Sequence, residues 1–202
     1  MIKAVIFDIG KVLLHFDFNI AIAKLRPLCQ VTGEKVLAPI EEIKVAYEAG
    51  RLPREAFLQQ AFELLGFTGT ERDFVSAWEE IFEINRPMVE VVERLKAKKR
   101  LPLYLLSNTS DIHVDYMLVK YPFFALFDDA VYSYRVGCAK PEAEIFHLSA
   151  RQFGVEPGET LFIDDLPANI ATARQLGFHA FQYDLACHGS FLAELERLGV
   201  EL

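Results

Sequence analysis

The chain has 202 residues, 52% of them hydrophobic and 25% charged, with a formal net charge of -8 at pH 7. That composition is globular, and the length suits one domain, or one domain carrying a smaller insertion. The acidic balance argues against a nucleic-acid or anionic-membrane partner, because neither would meet a basic surface.

The first apolar run, Ala4–Phe7, does not alternate and ends on Asp8, the pattern of a strand buried on both faces. No convincing strand follows until Leu103. The long interval instead holds stretches of helical period at Asn19–Cys29, Glu34–Ala49, Pro53–Leu65 and Thr70–Ile84. Pro53–Leu65 sets Ala56, Phe57, Ala61, Phe62 and Leu65 on one face, and Thr70–Ile84 does the same with Phe74, Ala77, Trp78, Ile81 and Phe82. These rings read as a small core of their own. Met88–Lys99 is the helix that returns the chain to the sheet, and the basic run Lys96 to Arg100 closes it in the sense its dipole favours.

Strands are then expected at Leu103–Leu106, Ala130–Tyr132, Leu161–Ile163 and His179–Tyr183. Helices over Asp111–Tyr121, Pro141–Phe153 and Pro167–Leu176 separate them, with Pro141 and Pro167 where a first turn tolerates proline. The alternation predicts an α/β fold, a doubly wound (Rossmann-like) parallel sheet with helices on both faces. Residues 1–15 and 88–202 form its core, and residues 16–87 form a helical subdomain inserted after the first strand. Linkers near Phe16–Phe18 and Ile84–Pro87 would let that insertion open and close.

The 3 cysteines, Cys29, Cys138 and Cys187, have no CxxC spacing and fit a reducing compartment. With neither a signal-peptide pattern nor a bilayer-length apolar run, the expected location is cytoplasmic. The 5 histidines show no HxxxH or HExxH spacing, which disfavours histidine-based metal binding.

Ligands of open parallel sheets bind beyond the C-terminal ends of the strands. The first strand ends on Asp8, the second on Ser107 and Asn108, and the fourth on Asp164 and Asp165; Lys140 follows the third. Three acids, a hydroxyl, an amide and a lysine therefore meet on one rim. Singly, each has an ordinary explanation as a cap, turn or surface residue. Two adjacent acids at the end of a buried strand are costly, however, unless they bind something. Asn169, one helical turn past Asp165, can hydrogen-bond back toward them. The set suits phosphoryl transfer assisted by a divalent metal. Carboxylates from two strands can hold Mg2+, and one of them can attack phosphorus to form an acyl phosphate. Ser107, Asn108 and the N–H groups of the next helix start would bind phosphate oxygens, and Lys140 would offset the negative charge.

VIFDIGKVL, LLSN, KPEAEIF and FIDDLPANI resemble, in order, the four motifs of the haloacid dehalogenase superfamily of hydrolases, and the resemblance extends over the whole chain. The insertion resembles a helical C1-type cap, and YEAGRLPREAF is similar to a stretch common in such caps. The resemblance implies that Asp8 is the nucleophile and a metal ligand, and that the Gly10 carbonyl is a second ligand. It implies Asp165 as the direct ligand from the fourth motif with Asp164 behind it, although the two can exchange roles. Ser107 and Asn108 would bind phosphate, Lys140 would bridge nucleophile and phosphate, and Mg2+ would be the cofactor.

Gly10 departs from the pattern. Most phosphatases of the superfamily carry an aspartate there as general acid and base. Glycine keeps the carbonyl for the metal but has no proton to transfer, a contribution typically worth ~10²–10⁴ in rate. A substrate with an easy leaving group would need no such help, for example the anomeric oxygen of a sugar 1-phosphate. The α-D-glucose-1-phosphatase-like branch, which this chain resembles, also has glycine at that place. Otherwise another residue must act, with Lys11 and His15 the local candidates and His15 also readable as a hinge or core residue.

The expected function is that of a Mg-dependent phosphatase acting on a small phosphorylated metabolite, a sugar phosphate by preference, through an aspartyl-phosphate on Asp8. Two other readings compete with it. A metal-independent 2-haloacid dehalogenase would carry a serine- and asparagine-rich fourth motif where this chain keeps Asp164 and Asp165. A non-catalytic relative that binds a phosphorylated ligand is supported by Gly10 alone. The sequence carries no signal for oligomeric state.

Overall fold

The computed structural model describes residues 1–31 and 36–202. Its first strand, β1 (Ala4–Phe7), turns through Gly10 into a three-residue strand, β2 (Leu14–Phe16). The inserted helices follow as α1 (Phe18–Leu25), α2 (Glu41–Glu48), α3 (Arg54–Leu65) and α4 (Glu71–Glu79). Strand β3 (Phe82–Ile84) and helix α5 (Arg86–Lys98) lead back to β4 (Leu103–Ser107). Then come α6 (Asp111–Lys120), β5 (Asp129–Tyr132), α7 (Ser133–Val136) and α8 (Ala143–Phe153). The chain finishes with β6 (Thr160–Asp164), α9 (Pro167–Gln175), β7 (His179–Gln182) and α10 (His188–Arg197).

Five strands pair in parallel in the order β5-β4-β1-β6-β7, so the strand order reverses where β6 returns to lie beside β1. Within β1, Val5 and Phe7 pack into one apolar cluster with Leu105, Ile163, Val92 and Phe191, while Ile6 packs into another with Leu106, Phe162 and Phe146. Both faces are covered by helices, which is why the strand has no polar alternation. A third cluster unites the inserted helices through Leu25, Phe57, Phe74 and Trp78, and it reaches Ile112 of α6. Among the described residues no helix is long and apolar enough to cross a membrane.

The four later strands follow the expected runs to within a residue or two at their ends. The helix expected over Thr70–Ile84 does not. It ends at Glu79, and Phe82–Ile84 instead pairs antiparallel with Leu14–Phe16, Phe16 opposite Phe82. Ile81 and Phe82 fall at helical spacing, yet the partner that makes β3 a strand lies far away in sequence. The linkers on either side of the insertion are therefore joined as a ribbon. Asn85 closes it by donating from Nδ2 to the Val12 carbonyl at 2.7 Å, beside its N–H bond to the Leu13 carbonyl at 2.9 Å.

Other boundaries move at prolines. The helix expected to Cys29 stops at Leu25 and tightens to a 3-10 turn over Arg26–Leu28, which contains Pro27. The helix expected over Glu34–Ala49 is interrupted by a 3-10 turn at Ala38–Ile40 holding Pro39, and α2 begins at Glu41; its expected start at Glu34 lies outside the described residues. Pro141 precedes α8 rather than occupying its first turn, and Glu142 is the cap. The last helix, α10, had no sequence expectation, and it buries Phe191 and Leu195.

Candidate active site

The in-register pairing of Phe7 with Leu105 and with Ile163 brings the ends of β4, β1 and β6 to one level. Asp8 continues that register, its N–H donating to the Ile163 carbonyl at 2.9 Å. Asp8, Ser107, Lys140 and Asp164 are all buried at this edge.

Lys140 is the centre of the arrangement. Its Nζ lies 2.8 Å from Asp8 Oδ1 and 2.6 Å from Asp164 Oδ2, and it donates to the Leu106 carbonyl at 2.8 Å. The backbone of Lys140 is held by Asn108, whose amide bonds both its N–H and its C=O. Asp164 is saturated. Beyond Lys140, it accepts from Asn169 Nδ2 at 2.9 and 3.0 Å and from the Leu166 N–H at 2.8 Å. Asp165 is half-buried and faces Lys11 Nζ at 3.6 Å.

Asp8, Asp164 and Asp165 each offer a carboxylate oxygen, all within 4.8 Å of one another. Burial, reinforced by Asp164 and opposed by Lys140, pushes Asp8 up to about 6. Burial and then Asp164 raise Asp165 as well. Burial works against the Lys140 charge, but the two carboxylates outweigh it and hold this lysine above its ordinary value. Three crowded carboxylates, two of them held above their ordinary values, offer only oxygen donors, the donor set of a hard divalent cation, so the residues fit Mg2+.

A pocket of about 150 Å³ adjoins this cluster through Ile9 and Gly10, which follow Asp8 in the chain, and through Ser107. Its floor includes Gly10, Ser107, Asn108 and Thr109, and its roof comes from the insertion through Phe16, Phe18, Lys44 and Glu48. His113 of α6 closes one wall, stacked at 9° on Trp78, with Nε2 against the Trp78 carbonyl at 3.2 Å. Burial lowers His113 to about 4, so the ring is neutral. Neither Lys11 nor His15 borders this pocket; both lie in an outer cleft with Asp165, Tyr183 and Asp184. Lys44 and Glu48 went unnoticed in the sequence. Their i,i+4 spacing puts them on one helical face, but nothing local says that this face meets the sheet.

The chain matches the family of haloacid dehalogenase-like hydrolases over residues 2–177. It is 29% identical over 191 residues to D-ribitol-5-phosphate phosphatase of Bacteroides thetaiotaomicron, covering 90% of this chain and 92% of that protein. A predicted HAD-like family hydrolase from Porphyromonas gingivalis superposes with a TM-score of 0.82 at 30% identity, covering 100% of both chains. A HAD family enzyme from Bacteroides thetaiotaomicron, solved in complex with magnesium and inorganic phosphate, superposes with a TM-score of 0.80 at 27% identity over 92% of this chain and 96% of that one.

Proposed function

This chain belongs to the haloacid dehalogenase-like hydrolase family, and on that premise we propose that it is a Mg2+-dependent phosphatase of a small sugar or polyol phosphate, acting through an aspartyl-phosphate on Asp8. The observation that carries the reading is the Lys140 bridge between Asp8 and Asp164, at 2.8 and 2.6 Å, beside the third carboxylate. The likeness to a pentitol phosphate phosphatase supports the substrate class, as does a pocket of only about 150 Å³.

Asp8, the Gly10 carbonyl and Asp165 hold the metal in this proposal. Asp164 stands behind, since its oxygens are already occupied by Lys140, Asn169 and Leu166. When bound, Mg2+ neutralises the charge that would otherwise keep an anionic carboxylate from an anionic phosphate. Lys140 orients Asp8 for in-line attack on phosphorus. Ser107 binds phosphate oxygens. Asn108 spends one amide hydrogen on the Lys140 carbonyl and keeps the second for phosphate. Residues 16–87 serve as a cap that excludes water and contacts the leaving group, over a core of residues 1–15 and 88–202.

The metal-independent dehalogenase reading sits poorly with three carboxylates whose only cationic partners among the described residues are Lys140 and Lys11. One assay series separates the readings: p-nitrophenyl phosphate, pentitol phosphates and sugar phosphates, each with Mg2+ and with EDTA. Turnover with Mg2+ that EDTA abolishes is expected. Turnover indifferent to EDTA contradicts the metal site, and binding without turnover on any ester favours the non-catalytic relative.

A further inference from the structure

Gly10 cannot supply a proton, and a side chain there would press on a neighbouring ring. A Cβ built on Gly10 would lie 3.1 Å from Cε1 of Phe16, whose ring also lines the pocket. The acid must then come from another wall. Among the described residues, three ionisable side chains border the same pocket: Lys44, Glu48 and His113. Two of them are engaged. His113 is bonded to the Trp78 carbonyl, and Lys44 pairs with Glu41 at 2.9 Å while lying 4.9 Å from the centre of the Phe18 ring.

The Glu48 carboxylate has no hydrogen bond and no ion pair among the described residues. Its backbone is nevertheless anchored, because the Ser133 hydroxyl of α7 donates to the Glu48 carbonyl. We infer that Glu48 performs the proton transfers missing at Gly10, as acid toward the leaving alcohol and as base toward the attacking water. This rests on the phosphatase reading above. Burial brings Glu48 up to about 7, opposed by Lys44 and reinforced by Glu41, which suits a group that must give and take a proton near neutrality. Of the nearby cations, Arg51 pairs with Glu142, Arg54 with Asp111, and Arg135 of α7 lies over the Tyr132 and Tyr134 rings.

The steps balance. An Asp8 oxygen bonds to phosphorus as the ester P–O bond breaks, and the alkoxide oxygen takes the proton of the Glu48 carboxylic acid and leaves as alcohol. Water then bonds to phosphorus, giving its proton to the Glu48 carboxylate. The electron pair of the acyl P–O bond returns to Asp8, inorganic phosphate departs, and Glu48 is again protonated.

The test is rapid-quench measurement of alcohol release from p-nitrophenyl phosphate and from an alkyl phosphate, by the wild type and by Glu48→Gln. Expected for Glu48→Gln is an alkyl-ester rate lower by roughly 10²–10⁴. In the first turnover, release of p-nitrophenol should fall far less than release of the alkyl alcohol, whereas later turnovers of both esters should slow together because phosphoenzyme hydrolysis has lost its base. The variant should also lose the alkaline fall in the alkyl-ester rate near pH 7. Glu48→Asp, which keeps the carboxyl group, should recover part of that rate; thermal unfolding checks that both variants fold. Equal first-turnover losses on the two esters, a change confined to KM, or an alkaline limb retained in Glu48→Gln would overturn the inference while leaving the phosphatase reading in place. A wild type inert toward every phosphate ester would overturn that reading, and this inference with it.

Discussion

Asn108 grips Lys140 by the backbone: its Nδ2 donates to the Lys140 carbonyl and its Oδ1 accepts the Lys140 N–H, each at 2.8 Å. The residue that follows β4 thus fixes where the Lys140 ammonium enters the site. Asn108→Ala should lower kcat on phosphate esters by about 10², the scale on which a misplaced catalytic group costs rate. Steady-state kinetics with Mg2+ present checks it. A kcat within twofold of wild type would mean that Lys140 is held without this clamp.

Asp8→Asn should abolish hydrolysis and leave the fold intact, because the amide matches the carboxylate in shape but is a poor nucleophile. Lys140→Met should instead destabilise. It strands two buried carboxylates, Asp8 and Asp164, and breaking a buried pair in this way costs roughly 3–5 kcal/mol. Urea unfolding in EDTA measures the second effect, and activity assays the first.

Gly10→Asp alone should help little, since its Cβ meets the Phe16 ring at 3.1 Å. Combined with Phe16→Ala, which clears that space, it should raise the rate on esters with poor leaving groups by up to ~10² relative to Phe16→Ala alone. Equal effects on good and poor leaving groups would show that proton transfer does not limit the rate.

Mg2+ should bind the folded chain and raise its melting temperature, by about 2.7 kcal/mol of stability at a hundredfold excess over its dissociation constant. Asp165→Ala should weaken that response and shift the Mg2+ dependence of turnover to higher concentration. Thermal scans across a Mg2+ titration read both.

His113 gives the fold a pH dependence of definite sign. An unfolded imidazole takes a proton near 6.5, whereas burial holds the folded one at about 4. Its contribution is full above pH 6.5 and is lost as pH falls toward 4, by up to about 3 kcal/mol. Asp8 and Glu48, held up near 6 and 7, titrate in the opposite sense. The comparison therefore needs His113→Gln, whose urea midpoint should fall less than that of the wild type between pH 6.5 and 4.

Much of the core was legible in the chain. Ala4–Phe7 was recognisable as a doubly buried strand because all four residues are apolar, and both sheet faces are covered. The converging ends Asp8, Ser107 and Asp164 followed from parallel pairing alone. The hairpin of Leu14–Phe16 with Phe82–Ile84 was not legible, because three-residue strands carry too little periodicity and their ladder joins distant segments. Glu48 and Phe16 were missed for a related reason: helix period shows which residues share a face but not what that face meets.

The sequence by itself determined the succession of the five parallel strands and the identity of the polar residues at their ends, because burial periodicity and motif spacing are local properties of a chain. Only the tertiary structure decided that Asp164 is enclosed by hydrogen bonds while Asp165 meets only Lys11 among the described residues, that the Phe16 ring lies against Gly10, and that the unpartnered Glu48 faces the same pocket. Each of these depends on which surfaces meet when the inserted helices dock on the sheet, and that docking is set by packing between segments far apart in the chain.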